Sequence, residues 1–515
     1  MTRPNIIFIV LDTLRADKVL NEERMNLTPN LKKILTHSYY FENGTSNSTW
    51  TLPSHNSMFT GLSTSQIKKL GGKLHYINEN LPLLAEILKD EGYYTLCFTE
   101  NPWINEFFRN TRGFKSYIKN FRRSFFILEN NKISKLIENF FEFSDNIFKN
   151  WIKNKLIIFY SEFFEKIIKK ITKELLYKLS WENWVFEYKN TLVKLDKLKY
   201  KLNRRLGKRP FFLFFNIMAT HAPYIPPRSV LKKFGIDHNN LKIIKDFLLK
   251  PTHYFRNINY QFSKLTKNQI ETLNSLYNAS VYYSDQITQK IFENFENLGN
   301  STDSYIIITS DHGEHLCSKK DHFLYGHGIS YSVYDDLIRV PIIIYNKKFS
   351  KTLIKNPAQL KDIFHTILNI AEIRRDLPVY NPSKSILNQI TNNNYEKYIY
   401  GEHLKRKDEM RALIRNNKRY LTDSIIKKIY NEIYYIRSKD YKYVNYGNKL
   451  EELYDLQKDP QENDNIIDKN HEIHSEMKKA MMKARKELTN IDSIIDFITK
   501  KEKSNIIKVI GDLKI

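Results

Sequence analysis

Ile6-Ile7-Phe8-Ile9-Val10-Leu11-Asp12 is an unbroken apolar run closed by a carboxylate. A run with no polar alternation suits a strand covered on both faces, as in a parallel sheet. Three other stretches read the same way: Phe211 to Ile217 ahead of His221, Tyr305 to Ile308 ahead of Asp311, and Val340 to Tyr345. Helical signals lie between them. Thr28-Pro29 is a cap followed by a first-turn proline, and Leu81 to Glu91 stops at Gly92. Apolar strands alternating with helices indicate an α/β sheet with helices on both faces.

The ends of these runs carry the chemistry. In open α/β sheets, ligands bind beyond the carboxyl ends of the strands, and Asp12 sits at such an end. Ser310-Asp311-His312-Gly313-Glu314 repeats the arrangement, with a carboxylate, an imidazole and a glycine for a tight backbone. Either strand end alone reads as an ordinary loop; two in one sheet read as a cation site. Asp oxygen and His nitrogen together suit Mn or Zn better than Ca or Mg. A third element is Ser48-Thr49-Trp50-Thr51-Leu52-Pro53-Ser54-His55, followed by Phe59-Thr60-Gly61. Pro53 fits a first helical turn, which puts Thr51 at a helix N-terminus where backbone N–H groups and the dipole favour an alkoxide or a bound oxyanion. The plainer alternative is Thr51 as a simple N-cap.

These segments, in this order, resemble the sulfatase family of the alkaline phosphatase superfamily. Asp12-Thr13-Leu14-Arg15-Ala16-Asp17, Thr28-Pro29-Asn30-Leu31 and Thr51 to His55 with Thr60-Gly61 are similar to its N-terminal half. Glu91 to Thr95, Arg112-Gly113-Phe114 and Thr220-His221-Ala222-Pro223-Tyr224 resemble its next blocks. Gly326-His327-Gly328, Arg339-Val340-Pro341 and Glu452-Leu453-Tyr454-Asp455-Leu456 resemble its later ones.

The resemblance implies a three-layer α/β sandwich with a central mixed sheet, a helical insertion and a smaller C-terminal subdomain. It implies that Asp12, Asp311, His312 and Thr51 hold one divalent cation (Mn, Zn or Ca), with Thr51 also the nucleophile. His221 and His327 would contact the substrate oxyanion or protonate the leaving group. His55 stands where relatives usually carry an Arg. Sulfatases use Cys or Ser oxidised to formylglycine, whose hydrate has a second hydroxyl for releasing the sulfated intermediate. Thr51 has none, which favours phosphoryl chemistry. Asp285 lacks the His four residues later that two-zinc phosphodiesterases need, so one metal is expected and Asp285 reads as structural.

Lys plus Arg number 82 and Asp plus Glu 57, a formal charge of +25. That excess favours anionic partners, here an anionic ester, although composition drift explains it equally well. No motif points to specific nucleic-acid binding. Two cysteines, Cys97 and Cys317, give no disulfide framework, and no signal-peptide or membrane-spanning pattern stands out, so a cytoplasmic location is expected. The expected divisions are 1–114 and 210–400 for the two parts of the α/β domain, 115–209 for a helical basic and aromatic insertion, and 401–515 for a C-terminal subdomain with a helical tail. The insertion either packs its aromatic stripe on the main domain or lays residues 115–205 against an anionic membrane face.

The function these features lead to is metal-dependent hydrolysis of sulfate, phosphate or phosphonate esters through Thr51. The alternatives are a phospho-head-group transferase working at a membrane surface, and a catalytically inert binding protein on the same fold.

Overall fold

The computed structural model describes residues 3–19, 26–73, 76–120, 181–207, 209–222, 224, 226–237, 240, 259, 265–298, 303–317, 322–328, 331–405, 410–411, 414–415, 418, 421–447 and 450–512. Stretch 121–180, where most of the expected basic and aromatic insertion falls, lies outside them. The chain divides into two compact units, 1–119 with 194–515, and 120–193. Within the smaller unit, Asn120 Nδ2 donates to Thr191 Oγ1 at 3.0 Å.

In chain order the strands of the larger unit are β1 (Asn5–Leu11), β2 (Ser38–Thr45), β3 (Tyr94–Thr99), β4 (Ser116–Lys119), β5 (Phe211–Ile217), β6 (Ser304–Thr309), β7 (His315–Leu316), β8 (Tyr325–Gly326), β9 (Ile342–Tyr345), β10 (Thr352–Gln359), β11 (Ile399–His403), β12 (Ile433–Arg437), β13 (Tyr441–Asn445) and β14 (Glu451–Asp455). The main sheet runs β10-β2-β9-β6-β1-β5-β3-β4. β9 is antiparallel to both its neighbours, and the other pairings in this sheet are parallel. The sheet is therefore mixed, as expected.

Every residue of β1 is buried, which is why its sequence shows no alternation. On one face Phe8, Phe214 and Val10 pack with Met58, Phe59 and Phe364. On the other, Phe215 meets Phe295 of the long helix Lys267–Phe295, with ring centroids 5.3 Å apart. Two helical layers thus enclose the sheet. Ser116–Lys119, inside the stretch expected to be helical from 115, instead forms β4. Its backbone groups pair with β3, from Leu96↔Ser116 to Thr99↔Lys119, so the sheet runs to Lys119.

β11 to β14 make a second, antiparallel sheet in the order β11-β12-β13-β14. Helix His471–Glu487 covers it through Met477 and Met481, which pack with Tyr443 and Leu453. Among the described residues, no helix is long and apolar enough to cross a membrane.

Two helix starts matter for the site. Helix α1 (Pro29–Ile34) begins with a proline, and Asp285 accepts from its first turn: Asn30 N at 3.0 Å, Asn30 Nδ2 at 2.9 Å and Leu31 N at 2.8 Å. Asp285 thus sits as a cap for another element. Helix α2 (Thr51–Thr60) follows an extended Trp50 and ends at Gly61, whose φ is +72°.

Candidate active site

β1, β5 and β6 run parallel, so their carboxyl ends share one edge. Asp12 follows β1, and its N–H donates to Ile217 O at 2.9 Å. Thr13 then turns through φ +63°, which directs its N–H at Asp311 Oδ1, 3.3 Å away. Asp311 and His312 follow β6. One ligand atom from each of Asp12, Asp311 and His312 lies within 4.8 Å of the others, so this cluster could hold a metal ion. All three residues are fully buried.

The carboxylates are braced on one side and open on the other. Asp12 Oδ2 accepts from Asn101 Nδ2 at 2.6 Å and from Asn216 Nδ2 at 3.4 Å. Asp12 Oδ1 and Asp311 Oδ2 are buried with no hydrogen-bond partner. Buried carboxylate oxygens normally find donors, and a cation between these two would satisfy both. The residues therefore fit a metal. Burial pushes Asp12 up, yet the neighbouring His221, His312 and His55 and the Asn101 bond outweigh it and hold the carboxyl below its usual range. Asp311 goes the other way, raised by burial and by the charge of Asp12. Burial holds His312 well below the ordinary imidazole range, in the neutral form that ligates metals.

Thr51 is the first residue of α2, with Trp50 at the cap position, so the simple N-cap reading does not hold. Its Oγ1 lies 3.4 Å from His312 Nε2. Thr51 thus stands at the metal cluster and at a helix N-terminus together.

His55, one turn along α2, is fully buried. Its Nδ1 is 2.9 Å from Thr51 O, and its Nε2 is 3.2 Å from Asn216 Nδ2. The amide nitrogen can only donate, so Nε2 accepts and Nδ1 carries the proton. Burial lowers its pKa to about 4. His55 is therefore a neutral brace under Thr51.

His221 and His327 complete the edge. Their ring centroids are 4.8 Å apart, and His327 lies 4.4 Å from the His312 ring. His327 Nδ1 is 2.9 Å from Glu314 Oε1, and Tyr224 OH donates to Glu314 Oε2 at 2.8 Å. Burial pushes His327 down, but Glu314 outweighs it and raises the imidazole. The sequence-expected residues Asp12, Thr51, His55, His221, Asp311, His312 and His327 are all brought to this edge. Glu314, Asn101, Asn216 and Tyr224 join them without having been singled out. Glu314 and Tyr224 each had a sequence signal: Glu314 closes the same five-residue segment as Asp311, and Tyr224 closes the segment that holds His221.

Two carboxylates and an imidazole gathered with a hydroxyl at one end of a mixed sheet define an α/β ester hydrolase of the alkaline phosphatase-like kind. The chain belongs to the sulfatase family, whose model, described as Sulfatase, matches residues 4–373. An arylsulfatase of Clostridium perfringens is 24% identical over 490 residues, covering 90% of each chain. Bovine arylsulfatase K is 24% identical over 312 residues, 56% of this chain and 53% of the relative. Among solved structures, a phosphonate monoester hydrolase of Agrobacterium radiobacter superposes with a TM-score of 0.63 at 16% identity, covering 94% of this chain and 96% of that one. A protein solved with its substrate D-glucosamine-2-N,6-O-disulfate superposes with a TM-score of 0.59 at 16% identity, covering 95% and 99%.

Proposed function

We propose that this sulfatase-family hydrolase cleaves anionic esters through Thr51, and that its preferred substrates are phosphate or phosphonate esters rather than sulfate esters. The observation that carries the reading is the placement of Thr51 Oγ1 beside His312 and Asp311 at the start of α2. In the first step the threonine oxygen bonds to phosphorus and the bond to the leaving oxygen breaks. In the second, water bonds to phosphorus and the Thr51 ester bond breaks, which frees the ionised threonine oxygen for the next turnover.

Asp12, Asp311, His312 and Thr51 would hold one divalent cation, of which Mn and Zn best suit the mixed oxygen and nitrogen donors, with Ca the alternative. When bound, the cation would polarise the transferring group and favour the ionised hydroxyl. The α2 N-terminus adds its dipole to the same end. His327, held by Glu314, which Tyr224 fixes in turn, and His221 beside it face the position a leaving oxygen would take. The one that gives its proton to the leaving oxygen in the first step is left neutral and takes a proton from the incoming water in the second, while the other contacts the substrate oxyanion. His55 holds Thr51 from below and carries no charge to the substrate.

Phosphoryl chemistry is favoured because a sulfated threonine has no second hydroxyl to expel the sulfate and would need direct attack at sulfur. The family assignment supports sulfate esters, and the phosphonate hydrolase neighbour supports the alternative; an anionic ester is common to both. The relatives named above are hydrolases, and the transferase reading has no observation in its favour. The deciding experiment is a panel of 4-nitrophenyl sulfate, phosphate monoester, phosphodiester and phosphonate substrates with Mn, Zn, Ca and Mg. Higher kcat/KM for a phosphoryl ester than for the sulfate is expected; the reverse order overturns the preference.

A further inference from the structure

Thr51 is preceded by the loop 46–50, and this loop is gripped from the carboxyl-terminal sheet. Tyr435, on β12, donates from its hydroxyl to Ser46 O at 2.5 Å. Glu402 N on β11 donates to Asn47 O at 3.1 Å, and Asn47 Nδ2 donates to Tyr400 O at 2.9 Å. Thr49 Oγ1 is 2.5 Å from His403 Nδ1. Four contacts on three residues, Ser46, Asn47 and Thr49, fix the course of the chain just before the nucleophile.

Ser46 passes that grip to the reacting groups. It is fully buried. Its Oγ lies 2.6 Å from Asp311 O, 2.7 Å from Ser48 O and 3.1 Å from Ser54 Oγ. A hydroxyl has one proton, so the two carbonyls share it and Ser54 donates. One oxygen thus touches the metal-ligand loop, the nucleophile loop and the nucleophile helix.

The sequence makes a specific allowance for the tyrosine. Gly401 pairs with Tyr435 across β11 and β12. A Cβ at 401 would lie 2.1 Å from Tyr435 Cζ and 2.2 Å from its hydroxyl oxygen. The ring therefore crosses β11 over the glycine to reach Ser46. Burial raises the phenol well above its usual range, so it remains a donor.

We propose that Tyr435 and Ser46 are positioning residues that set the location of Thr51 relative to Asp311, making the carboxyl-terminal sheet part of the catalytic apparatus. This rests on Thr51 being the nucleophile. A displacement of about 1 Å in a reacting group can cost about a hundredfold in rate, while the substrate's contacts with the metal and imidazoles would be left in place.

The test is steady-state kinetics of the full chain, on the 4-nitrophenyl ester that the wild type cleaves best, for Tyr435→Phe, Ser46→Ala and Thr51→Ala. Melting temperature and Mn affinity are measured in parallel. For Tyr435→Phe we expect kcat at saturating Mn to fall about tenfold or more and KM to stay within about twofold, with Mn affinity lowered because Thr51 and Asp311 are both ligands of the proposed cation. Ser46→Ala, which only removes an oxygen, should give the same split and covers the case in which Tyr435→Phe does not fold. Wild-type kcat in a folded Tyr435→Phe or Ser46→Ala protein overturns the proposal. Activity retained by Thr51→Ala overturns the underlying reading instead, whatever the other two variants do.

Discussion

Thr51 Oγ1 lies 3.4 Å from Nε2 of His312, although the two residues are 261 positions apart in the chain. Only the parallel packing of β1 and β6, with α2 starting at their carboxyl edge, brings them together. Replacing Thr51 with Ala should lower kcat by about four orders of magnitude or more, since a nucleophile's loss is not made up by its neighbours. Thr51→Ser keeps the oxygen and should retain measurable turnover. Acid quench during turnover followed by peptide mass measurement should find a phosphoryl group on the Thr51 peptide. Thr51→Ala at wild-type rate would remove Thr51 from the reaction.

The cation should stabilise the fold as well as the transition state. Asp12 and Asp311 are buried side by side, and Asp311 is raised partly by the charge of Asp12. Chelation should abolish turnover and lower the melting temperature. Metal at a hundred times its Kd adds about 2.7 kcal/mol. Asp311→Asn removes the like-charge contact, so the metal-free variant should be about 1–3 kcal/mol more stable than metal-free wild type, yet inactive. Urea melts with and without EDTA would show this; an Asp311→Asn protein less stable than metal-free wild type would argue against a built cation site.

The strand ends were legible because each of Asp12 and Asp311 closes an apolar run, and strands buried on both faces write such runs whether parallel, as β1 and β6, or antiparallel, as β9. Thr51 was legible through Pro53, which marks a helix start. Glu314 could have been noticed, since it closes the segment that holds Asp311 and His312. So could Tyr224, which closes the segment that holds His221; Asn101 and Asn216 could not. Each is a lone polar residue whose partner lies far along the chain: Asn101 reaches Asp12 across 89 positions, and Asn216 reaches it across 204. The Ser46–Tyr435 contact spans 389 positions and depends on a glycine opposite the tyrosine, a relation that only strand register reveals. β4 was misread as helix because its four residues pair at a sheet edge, where alternation is too short to register.

His327 should lose its raised pKa when Glu314 is made neutral. Glu314 lies 2.9 Å from Nδ1 and is the group that outweighs burial at this imidazole. A leaving-group acid must carry its proton, so activity falls as pH rises through its pKa. With Glu314→Gln that pKa drops, and the alkaline limb of the kcat profile should shift to lower pH. The profile is read on a substrate with a poor leaving group, where protonation matters. A limb that stays in place would mean that His327 is not the acid, leaving His221 for the role.

Asp285 offers a test of the number of metals. Its carboxylate accepts three hydrogen bonds from Asn30 and Leu31 at the start of α1, and burial raises its pKa to about 6. These bonds engage both oxygens and tie the carboxylate to the start of α1. Asp285→Ala strips the first turn of α1 of its acceptors and should cost about 1–3 kcal/mol of stability, as loss of a buried cap does. Asp285→Asn keeps one oxygen acceptor and should cost less. Neither change should alter kcat/KM of the folded protein or its metal content, expected at one ion per chain by elemental analysis. A second ion in the wild type that disappears in Asp285→Ala, together with the activity, would instead make this carboxylate a ligand and the site a two-metal one.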